Sequence, residues 1–229
     1  MGILADITSL LLPRLCPVCH CRLEHSERSI CIVCATSLPR VVLSSIEDNV
    51  MLRMMWAYVP VEYAFSLLSY RHSSPFHSLL MRIKYQGDME LAYCLGEWVG
   101  EEALRAGLSD KIDILVPVPL DKVRERKRGY NQARLLANGI GKVMGKPVVE
   151  LLVRTKSGVS QTHLSARERL LNAQDVYQAS AVQECKGMRV ALVDDVMTTG
   201  ATMIQCAKVL LLTDDSMHVG VLTLAFAGT

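Results

Sequence analysis

The segment that most constrains the fold runs from Arg189 to Leu212. An aliphatic stretch, Arg189-Val-Ala-Leu-Val193, passes directly into Asp194-Asp195-Val-Met-Thr198-Thr199-Gly200-Ala201-Thr202 and then into apolar residues at helical spacing. A short unbroken apolar run bounded by turn residues predicts a strand buried on both faces, the kind found in parallel sheets covered by helices. Around it the patterns alternate: Ile112 to Val118, Asn131 to Met144, Val148 to Val153, Val190 to Val193, Thr202 to Leu212 and Val219 to Leu224. That order predicts an α/β domain whose ligand sits at the carboxyl ends of the strands.

The loop at the end of the buried strand carries chemistry. Thr198, Thr199 and Thr202 offer hydroxyls, Gly200 permits close backbone approach, and the following helix presents free N–H groups and a positive dipole end, so Thr198 to Thr202 suits a phosphomonoester. Asp194 and Asp195 accept hydrogen bonds from vicinal hydroxyls, and beside a phosphate cradle that suits a ribose 5-phosphate. The plain alternative is a strand-turn-helix with Asp and Thr as turn and cap residues. The most basic run, Lys122-Val-Arg-Glu-Arg-Lys-Arg128, falls after the strand at Ile112 to Val118. There it is expected to form a diphosphate-gripping loop with Pro119, Arg126, Arg128, Gly129, Asn131 and Gln132, unless its charges are simply solvated. Lys84, just before a glycine turn, is either a phosphate ligand or a helix-end macrodipole partner.

Upstream, Cys16-Pro-Val-Cys19 and Cys31-Ile-Val-Cys34 are two C-x-x-C knuckles separated by 11 residues. Four such thiolates close a structural Zn2+ site with no open position for catalysis, with His20, Cys21 and His25 as alternative ligands. Redox pairs or two disulfides are the competing readings, but the remaining Cys94, Cys185 and Cys206 stand alone, which suits a reducing cytoplasm.

At 229 residues the length fits one medium domain plus a small module. Leu43 to Asp48 is the expected hinge, giving a zinc module over 1–48 and a domain over 49–229, with hood elements at 49–107 and a core at 108–229. Half the chain is apolar and 21% is charged, which excludes disorder; a net charge of +2 leaves any polyanion binding to a local patch. No apolar run reaches the roughly 18 residues of a membrane span, so no membrane insertion is expected. The first residues, with Ile3, Leu4, Ile7, Leu10 and Leu11 at helical spacing and no basic start, are expected to form an amphipathic helix docked on the same chain. Met54 to Val59 and Tyr63 to Tyr70, flanking Pro60, are expected to pair as a hairpin, and helices are expected around Phe76 to Ile83 and Leu91 to Val99.

Val190 to Thr202 resembles the 13-residue phosphoribosyl-pyrophosphate (PRPP) signature of type I phosphoribosyltransferases. That resemblance implies a sugar-phosphate loop at Thr198, Thr199, Gly200, Ala201 and Thr202, ribose contacts from Asp194 and Asp195, and Mg2+ on the diphosphate. The stretch from Arg154 to Gln183 becomes the flexible loop that closes over the reaction, bearing Gln161, His163, Arg167 and Arg169. His163 is a possible general acid or base there, or an ordinary surface residue. A wider order of motifs, the cysteine knuckles, Ile83-Lys-Tyr-Gln-Gly-Asp88, Val116-Pro-Val-Pro119, Arg128-Gly-Tyr-Asn-Gln132 and Gln161-Thr-His-Leu-Ser165, resembles the ComF family of competence proteins and the related GntX proteins. The family implies a type I phosphoribosyltransferase-like parallel sheet with flanking helices behind a four-cysteine zinc module, and a role in uptake of single-stranded DNA beside a competence helicase or other uptake protein. Two functions follow: a magnesium-dependent phosphoribosyl transfer from PRPP, or a non-catalytic PRPP-fold adaptor for DNA or protein.

Overall fold

A computed structural model describes residues 13–42, 45–71, 74–155, 176–180 and 185–228. In chain order its elements are helix α1 (Ile32–Thr36), α2 (Val50–Trp56), strand β1 (Ala64–Ser69), α3 (His77–Tyr85), α4 (Met89–Arg105), β2 (Ile114–Pro117), α5 (Lys122–Arg128), α6 (Gln132–Met144), β3 (Leu152–Arg154), β4 (Tyr177–Ala179), β5 (Arg189–Met197), α7 (Ala201–Thr213) and β6 (His218–Phe226). The expected amino-terminal helix lies outside the described residues apart from 13–15, as do Gln161, His163, Arg167 and Arg169.

A four-stranded sheet has the order β1-β6-β5-β2, parallel at each pairing. Its central strands are aliphatic on both faces because both are covered. Leu91, Leu95 and Val99 of α4 with Leu136, Ala137 and Ile140 of α6 pack on one face; Met51, Leu52 and Met55 of α2 with Ile204, Ala207 and Leu210 of α7 pack on the other. The register of β2 on β5 is fixed at its start by Asp113, which accepts from the Arg189 backbone N–H at 2.8 Å and pairs with its guanidinium at 2.6 Å. From β2 the chain continues through α5 to α6 on one face, whereas the adjacent β5 leads to α7 on the other. Their carboxyl ends therefore diverge into a crevice, the place where α/β sheets bind ligands.

Two expectations are corrected. Met54 to Val59 is not a strand: Asn49 caps α2 by accepting from the Leu52 N–H at 3.2 Å, and Met51, Leu52 and Met55 fill the core at helical spacing. The strand at Ala64–Ser69 has no hairpin partner and instead pairs parallel with β6, near the other end of the chain. The basic run is a helix, α5, and not a loop, because Asp121 caps its start through the N–H groups of Val123 and Arg124 and Gly129, at φ +82°, ends it in the left-handed conformation. The other predicted strands and helices fall where expected, except that Val148 makes only an isolated parallel bridge to Leu115 and the strand proper, β3, pairs antiparallel with β4.

The cysteine segment packs against the sheet domain. Cys16, Leu23, Ile30, Cys34 and Leu38 join the same core as Leu79, Leu91 and Leu95. Arg40 bridges antiparallel to Leu68 at the β1 edge, and Glu97, 8% exposed on α4, takes Arg28 from the module and Lys142 from α6.

Candidate functional site

The crevice is lined by Lys84, Val118, Pro119, Leu120, Arg124, Arg128, Gln132, Arg154, Tyr177, Asp194, Asp195 and Thr202. Its acidic side comes from β5, which extends past its aliphatic stretch to carry Asp194 and Asp195 within the strand. Asp195 is buried, and its Oδ2 lies 3.1 Å from Lys84 Nζ at the end of α3. The Asp195 N–H donates to Asp194 Oδ1 at 2.8 Å. Burial, and then repulsion from Asp195, push the Asp194 carboxyl up to about 8. Two adjacent carboxylates in so enclosed a place call for a cation or for hydroxyl donors.

Behind them, Thr198 and Thr199 are exposed in the turn, and Gly200 at φ +74° starts α7. No side chain caps that helix, so its first N–H groups are open to an anion. A Cβ at Gly200 would lie 3.0 Å from Met197 Cε as well as in a left-handed conformation, which explains glycine at this position. Ala201 and Thr202 form the first turn, with Thr202 facing the crevice.

The opposite wall is cationic. Helical periodicity brings Arg124 and Arg128 of α5 to the crevice together and turns exposed Arg126 away from it. Arg128 donates to Gln132 Oε1 at 2.8 Å. Asn131 is buried as the cap of α6, accepting from the Ala133 N–H and donating to the Val118 carbonyl, so it shapes the wall from behind; Gly129 serves the turn. Arg154 and Tyr177, one on each strand of the β3–β4 ribbon, complete the wall, the guanidinium 5.6 Å from the ring centroid. Burial raises the Tyr177 phenol, keeping it a neutral donor. These two were missed by sequence reasoning. Their segments are short, and only the antiparallel pairing across residues 155–176 brings them to the site.

The four cysteines gather as expected: the ligand atoms of Cys16, Cys19, Cys31 and Cys34 all lie within 4.8 Å of one another. Cys19 Sγ and Cys31 Sγ are 3.6 Å apart, close to the ~3.8 Å edge of a tetrahedron with 2.3 Å zinc–sulfur bonds. Cys31 also caps α1, accepting from the Cys34 N–H. Burial pushes the Cys34 thiol up. Exposed His20 holds a left-handed turn at φ +61°, and exposed Cys21 and His25 stand outside the cluster. This cage is compatible with a structural zinc.

No family model matches the chain. The DNA utilization protein YhgH of Salmonella typhimurium is 29% identical over 214 residues, spanning 88% of this chain and 92% of that protein. Competence protein ComFC of Bacillus subtilis is 27% identical over 197 residues, 86% and 71% of the two chains, and competence protein F of Haemophilus influenzae is 36% identical over 142 residues, 59% and 62%. Along most of its length the chain is similar to proteins named for DNA utilization and for competence. Among solved structures, an allosteric regulatory enzyme of purine biosynthesis superposes with a TM-score of 0.41 at 17% identity over 62% of this chain. A glutamine PRPP amidotransferase from B. subtilis gives 0.41 at 18%. This chain spans 29% and 30% of those two longer chains. The architecture is the parallel sheet with flanking helices expected from the sequence. No helix among the described residues is long and apolar enough to cross a membrane.

Proposed function

We propose that the chain binds PRPP, or a ribose 5-phosphate compound of the same shape, together with Mg2+, and that it works in the cytoplasm in the uptake or utilisation of single-stranded DNA, alongside a helicase or other uptake protein. The observation that carries this reading is the crevice itself, where an uncapped helix start and two carboxylates from β5 face Lys84, Arg124, Arg128 and Arg154. The 5-phosphate fits the Thr198–Thr202 turn, the ribose hydroxyls fit Asp194 and Asp195, and the diphosphate fits the arginines. Asp194 and Asp195 are hard oxygen donors of the kind Mg2+ takes together with substrate phosphates. Bound there, the ion would neutralise the diphosphate as it leaves. Asp195, and Asp194 once a bound cation displaces its proton, would carry negative charge suited to the positive centre that develops at the ribose C1 as that bond breaks. The relatives named for DNA utilization and competence support the biological setting, and the buried thiols of Cys94 and Cys206 support a reducing compartment.

Thermal denaturation with PRPP and Mg2+, beside ribose 5-phosphate and AMP, tests the reading. Ligand at 100 times its Kd should stabilise by about 2.7 kcal/mol. Asp195→Asn should weaken binding by about 1.5 to 3 kcal/mol, the worth of a charged hydrogen bond. Unchanged affinity when both aspartates are replaced removes Asp194 and Asp195 from the site. Diphosphate release would identify an enzyme; binding without release in the presence of nucleobase, nucleoside or oligonucleotide acceptors favours the adaptor.

A further inference from the structure

The cationic surface continues beyond the crevice. A second concavity beside it is lined by Lys84, Tyr85, Gly87, Arg124, Lys127 and Arg128. Every charged side chain in that lining is a cation. Tyr85 is 65% exposed, with the Arg128 guanidinium 5.4 Å from its ring centroid. An open aromatic ring among flexible cations suits a chain of phosphates with unstacked bases, whereas a paired duplex keeps its bases from such a ring. Lys84, Arg124 and Arg128 belong to both concavities, Lys127 and Tyr85 only to the second, and Thr202 and Asp194 only to the crevice.

We infer that the two concavities form one linked site in which a sugar diphosphate in the crevice and single-stranded nucleic acid in the outer trough oppose each other's binding, because both draw on the same three cations. The inference rests on the PRPP reading of the crevice. A guanidinium engaged with a diphosphate is no longer available to a backbone phosphate. The bound diphosphate also adds negative charge well inside the roughly 8 Å over which physiological salt screens exposed charges. The linkage is reciprocal: whatever factor PRPP takes from nucleic-acid affinity, nucleic acid takes from PRPP affinity. A chain built this way releases its strand when PRPP is abundant and holds it when PRPP is scarce.

A fluorescently labelled oligothymidylate is titrated into the full chain with and without saturating PRPP and Mg2+, and PRPP is titrated calorimetrically with and without saturating oligothymidylate. The expected result is a rise in both Kd values by the same factor, at least about fivefold. The log–log salt slope of oligothymidylate binding should also become shallower in the presence of PRPP, by about 0.7 for each cation withdrawn. Lys127→Ala should weaken oligothymidylate binding and leave PRPP affinity alone. Thr202→Val should weaken PRPP and leave oligothymidylate binding intact, with its sensitivity to PRPP displaced to higher concentration. Arg128→Ala should weaken both. If both ligands bind wild type and neither changes the other's Kd, or if PRPP tightens the oligothymidylate, the linkage is wrong while the crevice reading stands. If PRPP fails to bind at all, the crevice reading and the linkage fall together. If PRPP binds and oligothymidylate does not, the trough and the linkage are lost and the crevice reading stands.

Discussion

Asp194 owes its chemistry to its surroundings. An unperturbed aspartate titrates near 3.9, and here burial followed by repulsion from Asp195 raises it to about 8. Between those values the folded chain holds a proton that the unfolded chain has lost. The stability associated with Asp194 is therefore fully present below about pH 4 and declines as the pH rises to about 8, beyond which it stays flat. Asp194→Asn removes this titration. Its stability relative to wild type should grow steadily from about pH 5 to 8 and level off above, measured by urea denaturation of the ligand-free chain across that range. A difference that does not change with pH would show that Asp194 is ionised throughout. The aspartates were legible in the sequence because an acidic pair at the end of an aliphatic run is unusual. Their unequal surroundings were not, since Lys84 reaches Asp195 from a helix that precedes it by more than a hundred residues.

Among the elements, α4 and α6 approach so closely that side chains are excluded from the contact. A Cβ on Gly139 would lie 2.2 Å from the Tyr93 carbonyl oxygen, and one on Gly96 would lie 2.3 Å from that of Leu136. Alanine has the better helix propensity by about 1 kcal/mol, yet here the clash is with backbone and cannot be relieved by a rotamer. Gly139→Ala should cost a net ~1 to 3 kcal/mol, the usual penalty of overpacking, and lower Tm by about 2 to 4 °C per kcal/mol. Asn138→Ala, on the exposed side of the same helix, should be neutral or slightly stabilising; equal effects from the two would contradict the close packing. Because α6 carries Gln132 into the crevice and lies just after Arg128, a displaced α6 should also weaken PRPP binding. Helix α5 shows why element type was harder to read than element position. Seven mostly charged residues have no apolar periodicity, and only the caps at Asp121 and Gly129 mark them as helical.

At the scale of the whole molecule, a zinc ion in the cysteine cage would hold either the amino-terminal module alone or the entire chain. The sequence predicts a hinge near residue 48, and replacing a cysteine would then leave the α/β domain folded. In the structure Cys16, Cys31 and Cys34 share a core with Leu79 and Leu91, and Glu97 and Glu102 of α4 pair with Arg28 and Arg40. Metal removal should therefore reach beyond the cysteines. Stripping the chain with a strong chelator, or Cys16→Ser, should lower its main melting transition by about 10 °C, the equivalent of a few kcal/mol for this size. Elemental analysis of the untreated chain should find one zinc. A main transition unchanged by chelation would make the module independent, and metal-free protein with intact thiols would remove the zinc.

Local patterning in the sequence encodes much of the site: an aliphatic run between turns specifies a covered strand, Thr-Thr-Gly before apolar residues specifies a turn into a helix, and paired knuckles specify a cysteine cage. These signals lie within a few residues of one another, so no knowledge of the fold is needed to read them. Everything that depends on which distant segments meet came from the folded arrangement. Parallel pairing placed β1 beside β6 where a local hairpin was expected, and the β3–β4 ribbon brought Arg154 and Tyr177 into the crevice. The same folding set Lys84, Arg124 and Arg128 between two concavities. Electrostatic and packing energies fall off over a few ångströms in space, while the residues that supply them are scattered along the chain, and only the folded arrangement fixes their distances.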